Sequence, residues 1–173
     1  MINLKKLNKN KTYVGWQIGQ GFISKLIQNL SKKQTDLPKE QIATHIFMMI
    51  YENKDWYVVE SHLKWHGVKK LLFTDWLSDY REENIFCTEC VLDINNLLYY
   101  IDFNPGYSVA QITKDAANEI TSQKLWNDSP GVVCSEFFAL CENNHQTCRD
   151  YKTPSYQIKP VHVQMKYGDK INV

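Results

Sequence analysis

The sequence predicts an α+β fold, with residues 1–173 as one domain of helices packed on a mostly antiparallel sheet. Three observations support this prediction. Two apolar, β-branched runs flank a short polar turn between residues 43 and 62, as in a β-hairpin. Apolar side chains recur at helical spacing between residues 22 and 31. A chain of 173 residues without repeats or long linkers is sufficient for a single hydrophobic core.

The first elements follow from local patterns. Residues 13–18 are expected to form a short strand or turn. A Gly-Gln-Gly turn at 19–21 then leads into a helix at 22–31. Its apolar residues fall on one side of that helix: Phe22, Ile23, Leu26, Ile27 and Leu30. Residues 32–41 read as a polar connection to the next element.

The hairpin at 43–62 allows a geometric prediction. With a symmetric turn at 52–55, Tyr51 faces Trp56, and the same register sets His45 opposite His62 and Glu60 opposite Phe47. His45 and Glu60 are then diagonal neighbours on one face, with Cα atoms roughly 7–8 Å apart. A bulge of one residue would put them on opposite faces, so the spacing permits the contact without requiring it.

The second half of the chain adds further elements. A helix at 75–81 is expected to be capped by Thr74, and residues 85–94 are expected to form a strand. Ser108 begins a helix in which Gln111 completes a capping box. The buried stripe of that helix is predicted to be Val109, Ile112, Ala116 and Ile120.

The last part of the chain is interrupted by Pro130 and Gly131. Residues 132–143 are predicted to form a helix that carries Cys134. An extended segment at 158–163 is expected to return to the sheet.

Composition limits the possible functions. Twenty basic and 19 acidic side chains without basic clusters do not suit a nucleic-acid-binding protein. No window approaches the ~18 uninterrupted apolar residues of a transmembrane helix, and the first residues lack the apolar stretch of a signal peptide. The sequence therefore predicts a chain made in the cytoplasm, and leaves open export by a route independent of a signal peptide.

The five cysteines offer one alternative role. Cys87, Cys90, Cys141 and Cys148 include one Cys-x-x-Cys pair, which is a common half of a zinc site. Cys87 and Cys90 lie in a predicted strand, however, where residues three apart point to opposite faces. Buried free thiols are therefore preferred over structural zinc.

Three residues at the edges of apolar runs carry the chemistry: Cys134, His45 and Glu60. A thiol, an imidazole and a carboxylate are the parts of a nucleophilic acyl-transfer site. Cys134 is expected at a helix N-terminus, where the macrodipole favours a thiolate. Glu60 is preferred over His62 as the group that orients His45, because a carboxylate stabilises an imidazolium. The alternatives are a buried structural cysteine and a solvated glutamate at the end of a strand.

The order and spacing of these residues resemble the permuted NlpC-like hydrolases, in the YiiX-like branch of the papain-like superfamily. The similar features are the strand-borne His45, Glu60 on the next strand, Gly67-Val68 after it and Cys-Ser-Glu at 134–136. Residues 21–28 are similar to the helix that precedes the histidine strand, and residues 153–156 to the closing segment. The resemblance covers residues 13–163. The lecithin-retinol acyltransferase-like proteins share the order but have a histidine in place of Glu60.

The resemblance implies a circularly permuted papain-like fold and a Cys-His-Glu triad. In that triad Cys134 is the nucleophile, His45 the general base and then acid, and Glu60 the residue that orients His45. It implies a thiol hydrolase or acyltransferase acting on an amide or ester bond of a small peptide, a cell-wall fragment or a lipid. No metal or organic cofactor is required.

One departure concerns Phe47. The chain has Thr-His-Ile-Phe at 44–47 where relatives more often have Ser-His-Val-Gly, so Phe47 is expected to narrow the pocket near His45. This departure favours an alternative function, a binding protein that keeps the fold and recognises a peptide or an acyl chain without turnover. The tryptophans are either core or cleft residues, and the sequence does not distinguish them: Trp16, Trp65, Trp76 and Trp126.

Overall fold

The computed structural model describes residues 2–79, 85–108 and 132–168. These form an α+β fold around a five-stranded sheet in the order β4-β3-β2-β1-β5, with every neighbouring pair antiparallel. The strands are β1 (Thr12–Gln17), β2 (His45–Glu52), β3 (Asp55–His62), β4 (Gly67–Leu72) and β5 (Ile85–Cys90).

Helices pack on both faces of this sheet. The α-helices in the described ranges are α1 (Phe22–Ser31), α2 (Phe73–Leu77), α3 (Ile94–Phe103), α4 (Cys134–Cys141), α5 (Gln146–Asp150) and α6 (Pro160–Tyr167). Short 3₁₀ turns lie at Leu4–Lys6, Lys32–Gln34, Lys39–Gln41, Leu63–Trp65, Asn143–His145 and Ser155–Gln157.

Strand alternation divides the interior into two cores. One core contains Ile46 and Met48 of β2 together with Phe137 of α4 and Val163 of α6. The intervening residue Phe47 lies in the other core, which also contains residues of α2 and of the N-terminal segment. Because successive side chains of a strand point to opposite faces, β2 contributes to both cores.

The predicted hairpin is confirmed, with the expected register in the half next to the turn. The pairs run from Met48 with Val59 to Glu52 with Asp55 and include Tyr51 with Trp56. The turn is shorter than expected, because Asn53 and Lys54 alone connect the strands, both with positive φ. The first strand and the helix at 22–31 are also confirmed. The stripe of α1 is only partly covered, since Phe22 and Ile23 are exposed.

The prediction of a strand at 85–94 is wrong beyond Cys90. Asp93 accepts hydrogen bonds from the backbone N–H groups of Asn95 and Asn96, and so caps α3. Asp93 thus caps a helix that follows the strand directly, and the apolar residues of this region did not indicate that helix. Cys87 and Cys90 do lie on opposite faces of β5, in separate cores.

The extended segment predicted at 158–163 is wrong as well. Residues from Pro160 onward form α6, with the proline at the first helical position, where its missing N–H costs nothing. Val161 and Val163 suggested alternation, but the buried residues Val161, Gln164 and Tyr167 recur at helical spacing instead.

Two further boundaries differ from the predictions. β4 was not predicted, and it leads directly into α2, which begins at Phe73 rather than 75, so Thr74 lies inside the helix and does not cap it. α4 begins at Cys134 and ends at Cys141, inside the predicted 132–143. The helix predicted from Ser108, with its stripe, and the break at Pro130 and Gly131 lie outside the described residues.

Candidate active site

The three residues singled out in the sequence come together at one end of the sheet. His45 is the first residue of β2, Glu60 lies in β3, and Cys134 is the first residue of α4. The His45 Nε2 atom lies 2.8 Å from the Glu60 Oε2 atom, and both side chains are buried. The side-chain contact that the sequence permitted is therefore present.

The carboxylate of Glu60 is held by more than His45. Trp65 donates its indole N–H to Oε1 and Trp76 donates its indole N–H to Oε2, each at 2.9 Å. Sequence reasoning left these two tryptophans without a role. A usable signal was that a buried indole N–H needs an acceptor, and Glu60 is the acidic residue nearest to Trp65 in the sequence. No comparable signal linked Trp76 to Glu60, because Asp75 and Asp79 are much nearer to it in the sequence.

Hydrogen bonding decides the charge of Glu60. Burial by itself raises the pKa of a carboxyl group. The hydrogen bond and the charge interaction with His45, together with the bonds from Trp76 and Trp65, outweigh that effect and lower the pKa of Glu60 to about 2. Glu60 is thus an anion at neutral pH despite being completely buried.

His45 is correspondingly held in its charged form. Burial opposes its protonation, but the electrostatic interaction and hydrogen bond with Cys134, together with those with Glu60, raise the pKa of His45 to about 10. Because Nε2 is bonded to Glu60, Nδ1 is the ring nitrogen left to face the sulfur. The arrangement brings an imidazolium that is backed by a carboxylate to the Cys134 side chain.

Cys134 is fixed by the segments on either side of it. The Ser61 hydroxyl donates to the carbonyl of Val132 at 2.6 Å, and the Ser135 hydroxyl donates to the carbonyl of Ile158 at 2.6 Å. The first bond ties the residues before α4 to the end of β3, and the second ties the first turn of α4 to the segment before α6. The first N–H groups of a helix have no partner within it, so they are available to an oxyanion beside the sulfur.

His62 lies close to the pair but does not replace Glu60. The rings of His62 and His45 are nearly perpendicular, with centroids 5.0 Å apart. The His62 Nδ1 atom accepts the N–H of Lys64 at 3.0 Å. Burial and the nearby His45 charge lower the pKa of His62 to about 4, so it is a neutral ring at the edge of the site.

A narrow cleft opens beside Cys134. Its apolar walls come from α1, the start of α4 and the segment before α6: Ile27, Leu30, Val133, Ile158 and Pro160. Phe47 does not line this cleft. Its ring lies over Gly15 in the second core and packs on Trp76, with centroids 4.6 Å apart. Phe47 therefore does not narrow the cleft beside the Cys134 sulfur.

Tyr107 is a cleft residue that sequence reasoning missed. It reaches the cleft because its loop packs closely on Gly67, where an added Cβ would lie 2.1 Å from Asn104 Oδ1 and 3.0 Å from the Gly106 Cα. Burial raises the pKa of Tyr107, so its phenol keeps its proton. Gly67, with φ of +147°, was the available signal, since such a backbone position favours glycine.

The remaining thiols do not assemble into a ligand set. Cys87, Cys90 and Cys141 are buried and Cys148 is half-buried, all as free thiols. Among the described residues, no group of three His, Cys, Asp or Glu side chains is arranged to hold a metal ion. Burial raises the pKa of each of these four thiols, which makes them poor nucleophiles.

Comparison with known proteins identifies no family. No protein-family model matches the chain, and no curated protein matches it in sequence. None of the helices in the described ranges has the length and apolar character needed to cross a lipid bilayer.

Proposed function

We propose that this protein is a thiol hydrolase or acyltransferase that attacks an amide or ester carbonyl through Cys134, His45 and Glu60. The observation that carries the proposal is the buried bond of 2.8 Å between Glu60 and His45, whose ring also interacts with the Cys134 side chain. A structural cysteine needs neither a charged imidazole beside it nor a buried anion behind that imidazole. Both groups cost free energy to bury and are common where chemistry requires them.

The reaction follows from these positions. The Cys134 sulfur forms a bond to the carbonyl carbon, and the N–H groups at the start of α4 stabilise the oxyanion. When the intermediate collapses, the bond to the leaving group breaks and the His45 imidazolium transfers its proton to it. His45 then takes a proton from water, or from an alcohol or amine acceptor, which attacks the thioester and releases Cys134. Glu60 stays ionised throughout and stabilises the imidazolium.

The resemblance to the permuted NlpC-like hydrolases supports the same proposal. The antiparallel sheet with a cysteine at the first residue of a late helix is compatible with a permuted papain-like arrangement. On this proposal the substrate is a small peptide, a cell-wall fragment or a lipid, and no cofactor takes part. Cytoplasmic synthesis remains the expectation for where the chain is made.

Selective alkylation tests the proposal, and Cys148 supplies an internal control. Cys148 is more exposed than Cys134, so reactivity governed by exposure alone would favour Cys148. If Cys134 forms the proposed ion pair with His45, Cys134 should instead react faster than Cys148. An ordinary thiol is only a few per cent ionised at pH 7, so we expect iodoacetamide to label Cys134 about tenfold faster or more. Peptide mapping by mass spectrometry gives both rates in one sample.

Two variants complete the experiment. His45→Asn and Glu60→Gln should each slow labelling of Cys134 while the rate at Cys148 stays the same. If Cys148 reacts faster than Cys134 in the unaltered protein, the proposal is wrong and a binding protein without turnover becomes the better explanation.

A further inference from the structure

A short 3₁₀ turn at Leu63–Trp65 connects β3 to β4 and carries one of the two tryptophans that hold Glu60. Trp65 donates its indole N–H to the Glu60 Oε1 atom at 2.9 Å. None of the three residues in the turn is buried, and Leu63 is 37% exposed. Because apolar packing contributes little here, hydrogen bonds and charge interactions decide whether the turn keeps Trp65 against the carboxylate.

The side chain of His62 caps this turn. Its Nδ1 atom accepts the backbone N–H of Lys64 at 3.0 Å, which is the bond that an N-cap side chain makes to the second residue of a helix. At the other end of the turn, His66 donates its backbone N–H to the carbonyl of Leu63 at 3.0 Å. A ring nitrogen of histidine accepts a hydrogen bond only while it carries no proton, so the cap requires the neutral His62 ring.

Charged groups on several elements act on the His62 ring. The titratable side chains around it are His45 of β2, Glu60 of β3, Lys64 of the turn, Asp79 after α2 and Tyr107 of the cleft. The cations His45 and Lys64 oppose protonation of His62, the two carboxylates favour it, and the Tyr107 phenol stays neutral. Burial has the largest effect, and the balance lowers the pKa of His62 to about 4.

Acid therefore acts against the cap. A protonated His62 presents an N–H to the N–H of Lys64, so the bond between them is lost. In an open turn His62 is in water, where the pKa of a histidine is about 6.5. Because the open turn binds the proton more tightly than the closed one, the equilibrium moves toward the open turn as the pH falls from about 6.5 toward 4.

We propose that His62 is a positioning residue through which acid regulates the Cys-His-Glu site: its neutral ring holds the Leu63–Trp65 turn closed and keeps the Trp65 N–H on Glu60, and protonation of the ring opens the turn. This inference rests on the proposed function and adds regulation to that site. When the turn opens, Glu60 loses the donor on Oε1 and holds the ring of His45 less firmly. The site is then reactive at neutral pH and loses reactivity in acid.

Exchange of the Trp65 indole N–H with solvent measures the turn directly and needs no catalysis. Its signal in nitrogen–proton correlation spectra is identified by its absence from Trp65→Phe. His62→Asn keeps a side-chain oxygen that caps the turn but does not titrate. We expect equal exchange in this variant and the unaltered protein at pH 7, and exchange about threefold faster or more in the unaltered protein at pH 5. His62→Ala has no cap, so it should exchange about threefold faster or more than His62→Asn at both pH values.

Two controls are matched to this design. Trp76 donates its indole N–H to the same carboxylate from α2, outside the capped turn, so its exchange should be equal in the unaltered protein and His62→Asn. His162 has the same chemistry at another helix start, because its Nδ1 atom accepts the N–H of Lys159 at 3.1 Å and its pKa is also lowered to about 4. His162→Asn should leave the exchange of Trp65 at pH 5 unchanged.

Three results of the exchange experiment overturn the inference. The first is equal exchange of Trp65 at pH 5 in the unaltered protein and His62→Asn. The second is a change at Trp76 as large as that at Trp65, which would indicate loosening of the whole site rather than opening of the turn. The third is an equal effect of His162→Asn on Trp65.

Labelling of Cys134 by iodoacetamide connects the turn to the site. At pH 4, His62→Asn should label about twofold faster or more than the unaltered protein, because its turn stays closed. In a Trp65→Phe background the same substitution should change nothing, since the turn then has no N–H to present to Glu60. Equal rates at pH 4, or an equal gain in both backgrounds, overturn the positioning role. If Cys134 reacts more slowly than Cys148 at pH 7, the proposed function itself fails, whatever the indole exchange.

Discussion

Trp76 donates its indole N–H to the same oxygen of Glu60 that contacts the His45 ring. Two donors therefore converge on one carboxylate oxygen, and Trp65 satisfies the other. A buried carboxylate without such donors would take up a proton near neutral pH. Both indoles thus hold Glu60 in the form that a Cys-His-Glu site requires.

Removing one indole N–H should destabilise the ionised form of Glu60 while the core remains filled. In Trp76→Phe the aromatic ring remains beside Phe47, but the bond to Glu60 is lost. Hydrogen bonds to charged groups contribute about 1.5–3 kcal/mol, so the pKa of Glu60 should rise without reaching neutral pH, and labelling of Cys134 should slow at acid pH rather than at pH 7. As the pH is lowered, the labelling rate of Cys134 should begin to fall at a higher pH than in the unaltered protein, because the pKa of Glu60 rises.

Trp56→Phe is the control for this variant. Trp56 is also a buried tryptophan of the second core, and it is not bonded to Glu60. In Trp56→Phe the labelling rate of Cys134 should fall at the same acid pH as in the unaltered protein. Equal shifts in both variants would mean that core packing, rather than the N–H, is responsible.

The charge of Glu60 should also appear in the stability of the fold. Glu60→Gln keeps the shape of the side chain but removes the charge opposite His45. Breaking a buried ion pair typically costs about 3–5 kcal/mol, and we expect a loss near the lower end at pH 7, because the amide retains some hydrogen bonds. Urea unfolding followed by tryptophan fluorescence measures this loss.

The sign of the pH dependence is specific for Glu60. Its pKa is lowered to about 2 in the folded chain, so its contribution is complete above the unfolded value near 4.5 and is lost as the pH falls toward 2. The difference in unfolding free energy between Glu60→Gln and the unaltered protein should therefore shrink below about pH 4.5. A difference that stays constant from pH 7 to pH 3 would contradict the ionised state.

His62 should make the fold sensitive to acid. Its pKa is lowered to about 4 in the folded chain, so the unfolded chain binds the proton first as the pH falls from about 6.5. Stability is then lost between about pH 6.5 and pH 4, at less than about 1.4 kcal/mol per pH unit, because His62 is only partly buried. His62→Asn should flatten this part of the stability curve.

His162 provides the comparison for His62, because burial also lowers its pKa to about 4 while it lies in α6 beside Tyr151. His162→Asn should flatten the same range of stability, but it should not change the labelling rate of Cys134. If neither substitution alters the stability curve, the two rings are not buried in their neutral form.

The contact between Gly15 and Phe47 should tolerate no added atom. A Cβ on Gly15 would lie 2.1 Å from the Phe47 ring, which is completely buried. Forcing extra volume into a packed core costs about 1–3 kcal/mol and sometimes more, so Gly15→Ala should be destabilised at the upper end of this range. Thermal and urea unfolding measure the change.

A second substitution tests whether the ring is the cause. Phe47→Leu removes the atoms that an alanine at position 15 would meet, so the double variant should be more stable than the sum of the two single losses predicts. Additive losses in this double-mutant cycle would show that Phe47 does not lie over Gly15.

Local signals predicted the elements whose partners are close in sequence. The helix at Phe22–Ser31 and the register of the hairpin depend on spacing and turn residues within about twenty positions, and both are found. α3 and α6 were missed, because a single residue, Asp93 or Pro160, outweighs an apolar run that resembles a strand. Propensity over a short window does not resolve such a competition.

The sequence by itself determined the residue types of the site, permitted the diagonal pairing of His45 with Glu60 and predicted a helix that carries Cys134, because each depends on near neighbours. Only the tertiary structure decided that the sulfur meets the imidazole, that Trp65 and Trp76 hold Glu60, and that α1 forms a wall of the cleft beside Cys134. These contacts join segments far apart in the chain. They form because burying distant apolar surfaces against one sheet is favourable, and no local pattern encodes which surfaces meet.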